Sequence, residues 1–275
     1  MALRCCAGRT GVRSASQRQG YFKLSFRHLK RTCAGCEKPG LEMNDEHVFP
    51  QWLIRRTKTN LTSIRWLAGN RVNPLAATLP LCVGCNRDFG RVLEDPVSRI
   101  FDDLESHRGI SENEAELLIR WLWKIDGLFW IASYPEGDYS RKYTLREKVL
   151  SPIDIARSYL RLAVSLIDHI DECFKDKPIG IDSHCRIDGL FVAGVFSQTA
   201  IMVVHEQLES QIPKQYSVLR MQRQPDSSSN AKLFYPITGF VDDTQAVTVS
   251  MILGARLSTA HDAFSYVIER QVPKP

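Results

Sequence analysis

Two cysteine pairs constrain this 275-residue chain more than any other feature: Cys33-x2-Cys36 in "TCAGCEKPG" and Cys82-x2-Cys85 in "LPLCVGCNRDFG", with 45 residues between them. No secretory h-region opens the sequence, so the default compartment is the cytoplasm. In a reducing compartment two CxxC spacings read as metal ligands rather than disulfides. Four thiolates around a tetrahedral Zn²⁺ are the common physical outcome of two such knuckles. One pair alone is weak; two together are strong. The competing reading is a set of free thiols with no metal. The insert is longer than a simple zinc ribbon needs, so something must fold inside it. Cys5, Cys6, Cys173 and Cys185 have no comparable spacing and read as small buried or incidental thiols.

Composition matters next because it bounds the partners. At 44% hydrophobic and 24% charged the chain reads as globular, with length for one large domain or two ordinary ones. No apolar run approaches the roughly 18 residues of a membrane helix, so no membrane partner is expected. The charge is unevenly spread. Residues 1–31 carry eight basic residues and no acid; set against a whole-chain charge of +5, this leaves −3 for the remainder. A basic arm on a mildly acidic body suits a polyanion such as nucleic acid. A solvated tail and an organelle-targeting peptide share the same composition.

Beyond the cysteine region the pattern predicts an α+β organisation. Ser111 with Glu114 forms a capping box ahead of "ENEAELLIRWLWKIDGLFWIAS", an expected helix. "SPIDIARSYLRLAVSLIDHIDECF" (151–174) reads as a second helix, capped by Ser151 with Pro152 in its first turn. Its stripe of Ile155, Tyr159, Leu162, Leu166 and Ile170 should face a core. From residue 186 onward, "DGLFVAGVF", "TAIMVVHEQL", "YSVLRMQRQ", "KLFYPITGF" and "AVTVSMILGARL" read as strands of a small antiparallel sheet, with a last helix in "TAHDAFSYVIERQV". The expected domains are a basic arm at 1–31, a motif-bearing domain at 32–105 and an accessory α+β domain at 106–275.

The insert opens with Glu46-His47-Val48-Phe49-Pro50, and the second knuckle runs straight into Asn86. This order resembles the HNH endonuclease family: CxxC, then acidic-His-aliphatic-x-Pro, a mid-motif Asn, and CxxC followed by His or Asn. The resemblance covers residues 33 to about 95, a quarter of the chain, and implies a zinc-stapled ββα-metal fold. It makes His47 the general base toward the attacking water, a task suited to an imidazole near neutral pH. Glu46 and Asn86 become ligands of a catalytic divalent ion, and oxygen donors favour Mg²⁺ or Mn²⁺. Cys33, Cys36, Cys82 and Cys85 hold the structural zinc.

Three departures from the common pattern stand out. Asn86 replaces a frequent His. The Asn that orients the base is out of frame, with Asn70 and Asn73 as candidates. The 34 residues between His47 and Cys82 include "RRTKTNLTSIRWL", a basic segment suited to a phosphate backbone. Arg87 and Arg91, one turn apart, read as either phosphate contacts or a solvated face, and Glu94 as either a further ligand or a solvated carboxylate. Phe49 and Trp52 read as packing residues.

The resemblance implies a metal-dependent endonuclease cutting DNA, or RNA, with restriction and phage defence among the family's contexts. Two rivals remain: a non-catalytic zinc-dependent nucleic-acid-binding module, and a nuclease effector activated by a protein partner or ligand at residues 106–275. Deleting residues 1–31 is expected to weaken DNA binding and flatten its salt dependence while leaving the fold intact, read by titration at several salt concentrations. Unchanged binding at every salt concentration would remove the arm from the interface.

Overall fold

A computed structural model of the chain describes residues 32–59, 64–65, 71–133, 143–170, 179–182, 191–223, 232–250 and 252–253. The basic arm, Asn70, Cys5, Cys6, Cys173, Cys185 and the last expected helix lie outside these. The fold is mixed α+β. Strand β1 (Met43–His47) pairs antiparallel with β4 (Thr78–Cys82), Met43 opposite Cys82 and His47 opposite Thr78. Between them lie α1 (Gln51–Arg56) and a two-stranded ribbon of β2 (Ile64–Arg65) and β3 (Arg71–Val72).

From β4 the chain turns directly into a long helical run: α2 (Val83–Phe89), a π turn (Gly90–Glu94) and α3 (Asp95–Glu105). Pro96 lies just after the π turn, at the start of α3. Then α4 (Glu112–Ser133) forms as its capping box predicts: the Ser111 backbone N–H and hydroxyl donate to Glu114 at 2.7 and 2.8 Å, and the Glu114 N–H returns to Ser111 Oγ at 3.3 Å. Helix α5 (Leu145–Leu150) carries a second such box, Thr144 with Glu147.

Over the described residues 151–170 the expected helix at 151–174 does not form; residues 171–174 lie outside them. Ser151 ends α5 instead of starting a helix, and Pro152 keeps that helix from continuing. After a short 3₁₀ stretch (Ile155–Tyr159) the chain extends into β5 (Leu160–His169), a strand that pairs with three others in a six-stranded sheet. Its even-numbered residues, such as Leu162, Val164 and Leu166, face the helices, while Ala163 and Ile167 face a second core on the other side. A strand buried on both faces loses its polar alternation and reads as a continuous apolar run. Of the expected helical stripe, Leu162 and Leu166 are buried, but Tyr159 is exposed.

Strands β6 (Ile179–Asp182), β7 (Phe191–Phe196) and β8 (Thr199–His205) continue the sheet antiparallel in the order β5-β8-β7-β6. The far edge of β5 is shared. The antiparallel β9 (Ser217–Arg220) covers residues 161–164, and the parallel β10 (Ile237–Asp242) covers residues 165–169. The sheet is therefore antiparallel except for that one pairing. At the bulge in β10, a Cβ on Gly239 would stand 1.9 Å from the Gln215 carbonyl, so only glycine fits there.

The strand expected in "AVTVSMILGARL" (246–257) is helical over its described residues 246–250 and 252–253, in a helix that starts at 243; residues 251 and 254–257 lie outside the described ones. Asp242 Oδ1 caps this turn by accepting from the Gln245 N–H at 2.8 Å, and Ala246, Ser250 and Leu253 are buried at helical spacing. Cap and burial override the β-branched composition.

One hydrophobic core runs from the cysteine region through α3 and α4 to the inner face of the sheet, without a break at residues 105 and 106. Its centre is aromatic. Trp121 on α4 sits 5.8 Å from Trp52, 5.5 Å from Phe101 and 5.1 Å from Phe196, ring centroid to centroid. Phe196 is the sheet's contribution to this cluster. Phe196→Ala is expected to cost about 3–5 kcal/mol and to lower the melting midpoint by roughly 10 °C, measured by thermal unfolding. A loss under ~1 kcal/mol would show that the sheet and helices are not joined there.

Candidate functional site

The first knuckle is a tight turn held by its own backbone. The Glu37 N–H donates to the Cys33 carbonyl at 2.8 Å, and the Cys33 N–H to Lys38 at 3.1 Å. Glu37 and Gly40 take left-handed backbone, with φ of 59° and 72°. Knuckle and hairpin are stitched by the Ala34 N–H donating to the Pro80 carbonyl at 2.8 Å. Gly35 packs so closely that an added Cβ would lie 3.2 Å from Cys85 Sγ.

The hairpin geometry then brings the second pair to the first, because Cys82 ends β4 and Cys85 lies in the opening turn of α2. All four sulfurs lie within 4.8 Å of one another. Cys36 Sγ stands 3.9 Å from Cys82 Sγ, and tetrahedral zinc with bonds near 2.3 Å would separate its sulfurs by about 3.8 Å. Backbone N–H groups already point at the sulfurs: Gly35 and Cys82 donate to Cys33 Sγ at 3.4 and 3.2 Å, and Cys85 to Cys82 Sγ at 3.4 Å. The group can hold a metal ion such as zinc, and the free-thiol reading leaves this convergence unexplained.

A partner from outside the motif completes the cluster. Arg146 on α5 donates to Cys85 Sγ at 3.5 Å and to Asp88 at 2.5 Å, while its backbone N–H donates to the Gly35 carbonyl at 2.8 Å. Burial pushes the Cys85 thiol well above its ordinary range, and the hydrogen bond from Arg146 opposes it. Burial also raises Cys82, but the backbone and side-chain hydrogen bonds from Cys85 outweigh it and bring that thiol below its usual value. The Arg146 hydrogen bond holds the Asp88 carboxyl down. Four thiolates around Zn²⁺ leave a net charge of −2, which a guanidinium at this distance stabilises.

Glu46 and His47 end β1, and Pro50, three residues after His47, stands at the N-cap of α1. As strand neighbours they project to opposite faces. His47 is half-buried, and its side chain makes no hydrogen bond among the described residues. Glu46 faces α4, where Lys124 Nζ donates to its Oε1 at 2.8 Å. Asn86, also half-buried, lies in the first turn of α2, which packs against β1; its side chain bonds neither Glu46 nor His47 among the described residues. Of the candidates to orient the base, Asn73 uses Oδ1 to cap the 3₁₀ turn at Pro74–Ala76, accepting from the Leu75 N–H at 2.9 Å.

Two residues change the picture most. Glu94, readable as a solvated carboxylate, is only 8% exposed. It accepts from Trp52 Nε1 at 2.7 Å, Trp121 Nε1 at 3.3 Å and Lys124 Nζ at 2.6 Å. The π turn explains its direction. One extra residue per turn gives Glu94 the phase of a seventh residue after Asn86, two full turns on and on the same helix face. Lys124 itself is fully buried over the Phe89 ring. Burial alone would lower its pKa, but the carboxylates, Glu94 foremost, raise it above the ordinary lysine value. The sequence held a signal for it: a lysine inside "WLWKI" must bring a carboxylate with it.

Of the basic residues expected to meet phosphate, Arg87 is 72% exposed and Arg91 is exposed, whereas Arg56 is engaged with Asp102 and Glu105. Phe49 and Trp52 pack in the core, as expected. No helix among the described residues is long and apolar enough to cross a membrane.

Arg146→Met is expected to leave one zinc per chain but to weaken its retention by roughly 10–100-fold, measured as zinc transfer to a colorimetric chelator. Transfer at the wild-type rate would make Arg146 irrelevant to the metal.

No family model, no curated protein and no solved structure matches the chain.

Proposed function

We propose that residues 32–105 carry a metal-dependent HNH-type endonuclease that hydrolyses phosphodiester bonds, with DNA as the expected substrate. The observation that carries this reading is an antiparallel hairpin, β1 with β4, running directly into α2, with Glu46-His47 on the first strand and Asn86 on the helix. Cys33, Cys36, Cys82 and Cys85 form a closed set, so the zinc they would hold has no open position and serves as a staple.

His47, half exposed and without an internal partner among the described residues, has its imidazole free to take a proton from water. That water's oxygen forms the new bond to phosphorus as the bond to the 3′ oxygen breaks. Glu46 and Asn86 are the oxygen donors that would hold Mg²⁺ or Mn²⁺, and their hard donor set fits such an ion. When bound, the ion supplies charge stabilisation at the scissile phosphate and the leaving oxygen. Arg87 and Arg91 present exposed guanidinium groups on the helical run that carries Asn86, suited to the phosphates alongside.

One observation favours a second reading. Glu46 is already ion-paired with Lys124, as it would be in a zinc-stapled nucleic-acid-binding module without catalysis. Plasmid cleavage separates the two. Wild type is expected to cut with Mg²⁺ or Mn²⁺ and to stop on brief chelation. His47→Ala should retain zinc and melting temperature while losing ~10²–10⁴ in rate, the usual worth of a general base. DNA binding without cleavage under any divalent ion would favour the module. Cleavage by His47→Ala at the wild-type rate would remove His47 from the chemistry.

A further inference from the structure

The nuclease reading uses Glu46 but leaves its surroundings unassigned. Lys124 is fully buried and comes from α4, outside the cysteine and histidine motifs. Its ammonium is fixed on one side by Glu94 Oε1 at 2.6 Å and on the other by Glu46 Oε1 at 2.8 Å. Glu94 is held in turn by the indole N–H groups of Trp52 and Trp121, on α1 and α4. These two rings pack against each other at a tilt of 38° within the aromatic core, so the chain of bonds has a well-packed base. At its far end, Glu46 Oε2 makes no hydrogen bond among the described residues, and the side chain is 16% exposed.

We infer that Lys124 is a positioning residue: locked by Glu94, it clamps one oxygen of Glu46 and leaves the other to bind the divalent ion. This rests on the reading of Glu46 as a ligand. A carboxylate on a free side chain samples several rotamers and can offer one oxygen or two; one clamped at Oε1 offers a single oxygen in a fixed direction. Hydrogen-bonded partners of metal ligands commonly set affinity in this way. The consequence for the chain's organisation is direct. The site is incomplete within residues 32–105, because α4 supplies the clamp and the sheet supports α4 through Phe196. The accessory region thereby has a role in the chemistry without touching the substrate.

The test measures Mn²⁺ binding to the full-length, zinc-loaded protein by the loss of the free-ion paramagnetic resonance signal. Lys124→Met alone leaves Glu94 buried and uncompensated, so it is expected to fold poorly. The informative protein is the double variant Lys124→Met with Glu94→Gln. It removes one positive and one negative charge, so the local net charge is unchanged, and the glutamine carbonyl can still accept from both indoles. Long-range attraction for a cation is therefore preserved while the clamp is gone. The expected result is a Kd for Mn²⁺ raised roughly 10–100-fold, with zinc content and melting temperature kept close to wild type. Cleavage should then need more metal but recover most of its rate at saturation.

Wild-type affinity in the double variant would overturn the clamp and leave Glu46 standing as a ligand. Zinc loss or unfolding of the double variant would assign the triad to folding and equally overturn it. Glu46→Gln distinguishes the deeper failure. It should abolish the tight Mn²⁺ site; if it binds as wild type does, or if wild type binds no Mn²⁺, both the inference and the metal-dependent reading fall.

Discussion

Everything around the candidate site hangs on the closing of one loop. Cys33 and Cys36 must meet Cys82 and Cys85 across 45 residues whose own elements are short: a five-residue strand, a six-residue helix and a two-stranded ribbon. A lone two-stranded pairing such as β1 with β4 is marginal in water, and short helices fray. A metal held by four thiols would reverse that balance, because its binding free energy is spent on the folded arrangement alone. The register follows: with Met43 opposite Cys82, the pairing sets Glu46 and His47 at a fixed distance from the cluster, at the other end of the strand.

Charge is managed in two layers around this staple. On the cysteine side, Arg146 and Asp88 form a pair in which the guanidinium leans on a thiol. On the histidine side, Lys124, itself fully buried, stands between two carboxylates that are mostly shielded from solvent. Both cations come from helices beyond the motif, α5 and α4. The small hairpin unit contributes the anionic and thiol groups, and the rest of the chain supplies the compensating positive charge. Buried charges are tolerable only with such partners.

The local parts of the site were legible from the residues, because spacing encodes them. CxxC twice predicts the thiol cluster, and Ser111 with Glu114 predicts the start of α4. What escaped was set by tertiary burial. β5 is apolar on both faces, so its alternation vanished and it passed for a helix. Residues 243–250 look like a strand by composition, yet the Asp242 cap and the buried spacing of Ala246 and Ser250 make them helical. Glu94 was ambiguous because regular helix geometry aims it elsewhere; only the π turn brings it to Lys124, and a π turn has no simple sequence signature. The roles of Glu46, His47 and Asn86 rest on resemblance, and the fold adds the hairpin and helix on which that resemblance depends.

The aromatic cluster of Trp52, Phe101, Trp121 and Phe196 joins the helices and the inner face of the sheet through direct ring contacts. Two bodies joined by a tether would melt separately, and one could be lost without cost to the other. Here one apolar core passes from the thiol cluster to the inner face of the sheet. With packing continuous along this path, opening the thiol cluster would loosen the support of the sheet, and a deformation of the sheet would reach Glu46 along α4. Mechanical continuity of this kind couples the inner face of the sheet to the strand that carries Glu46 and His47.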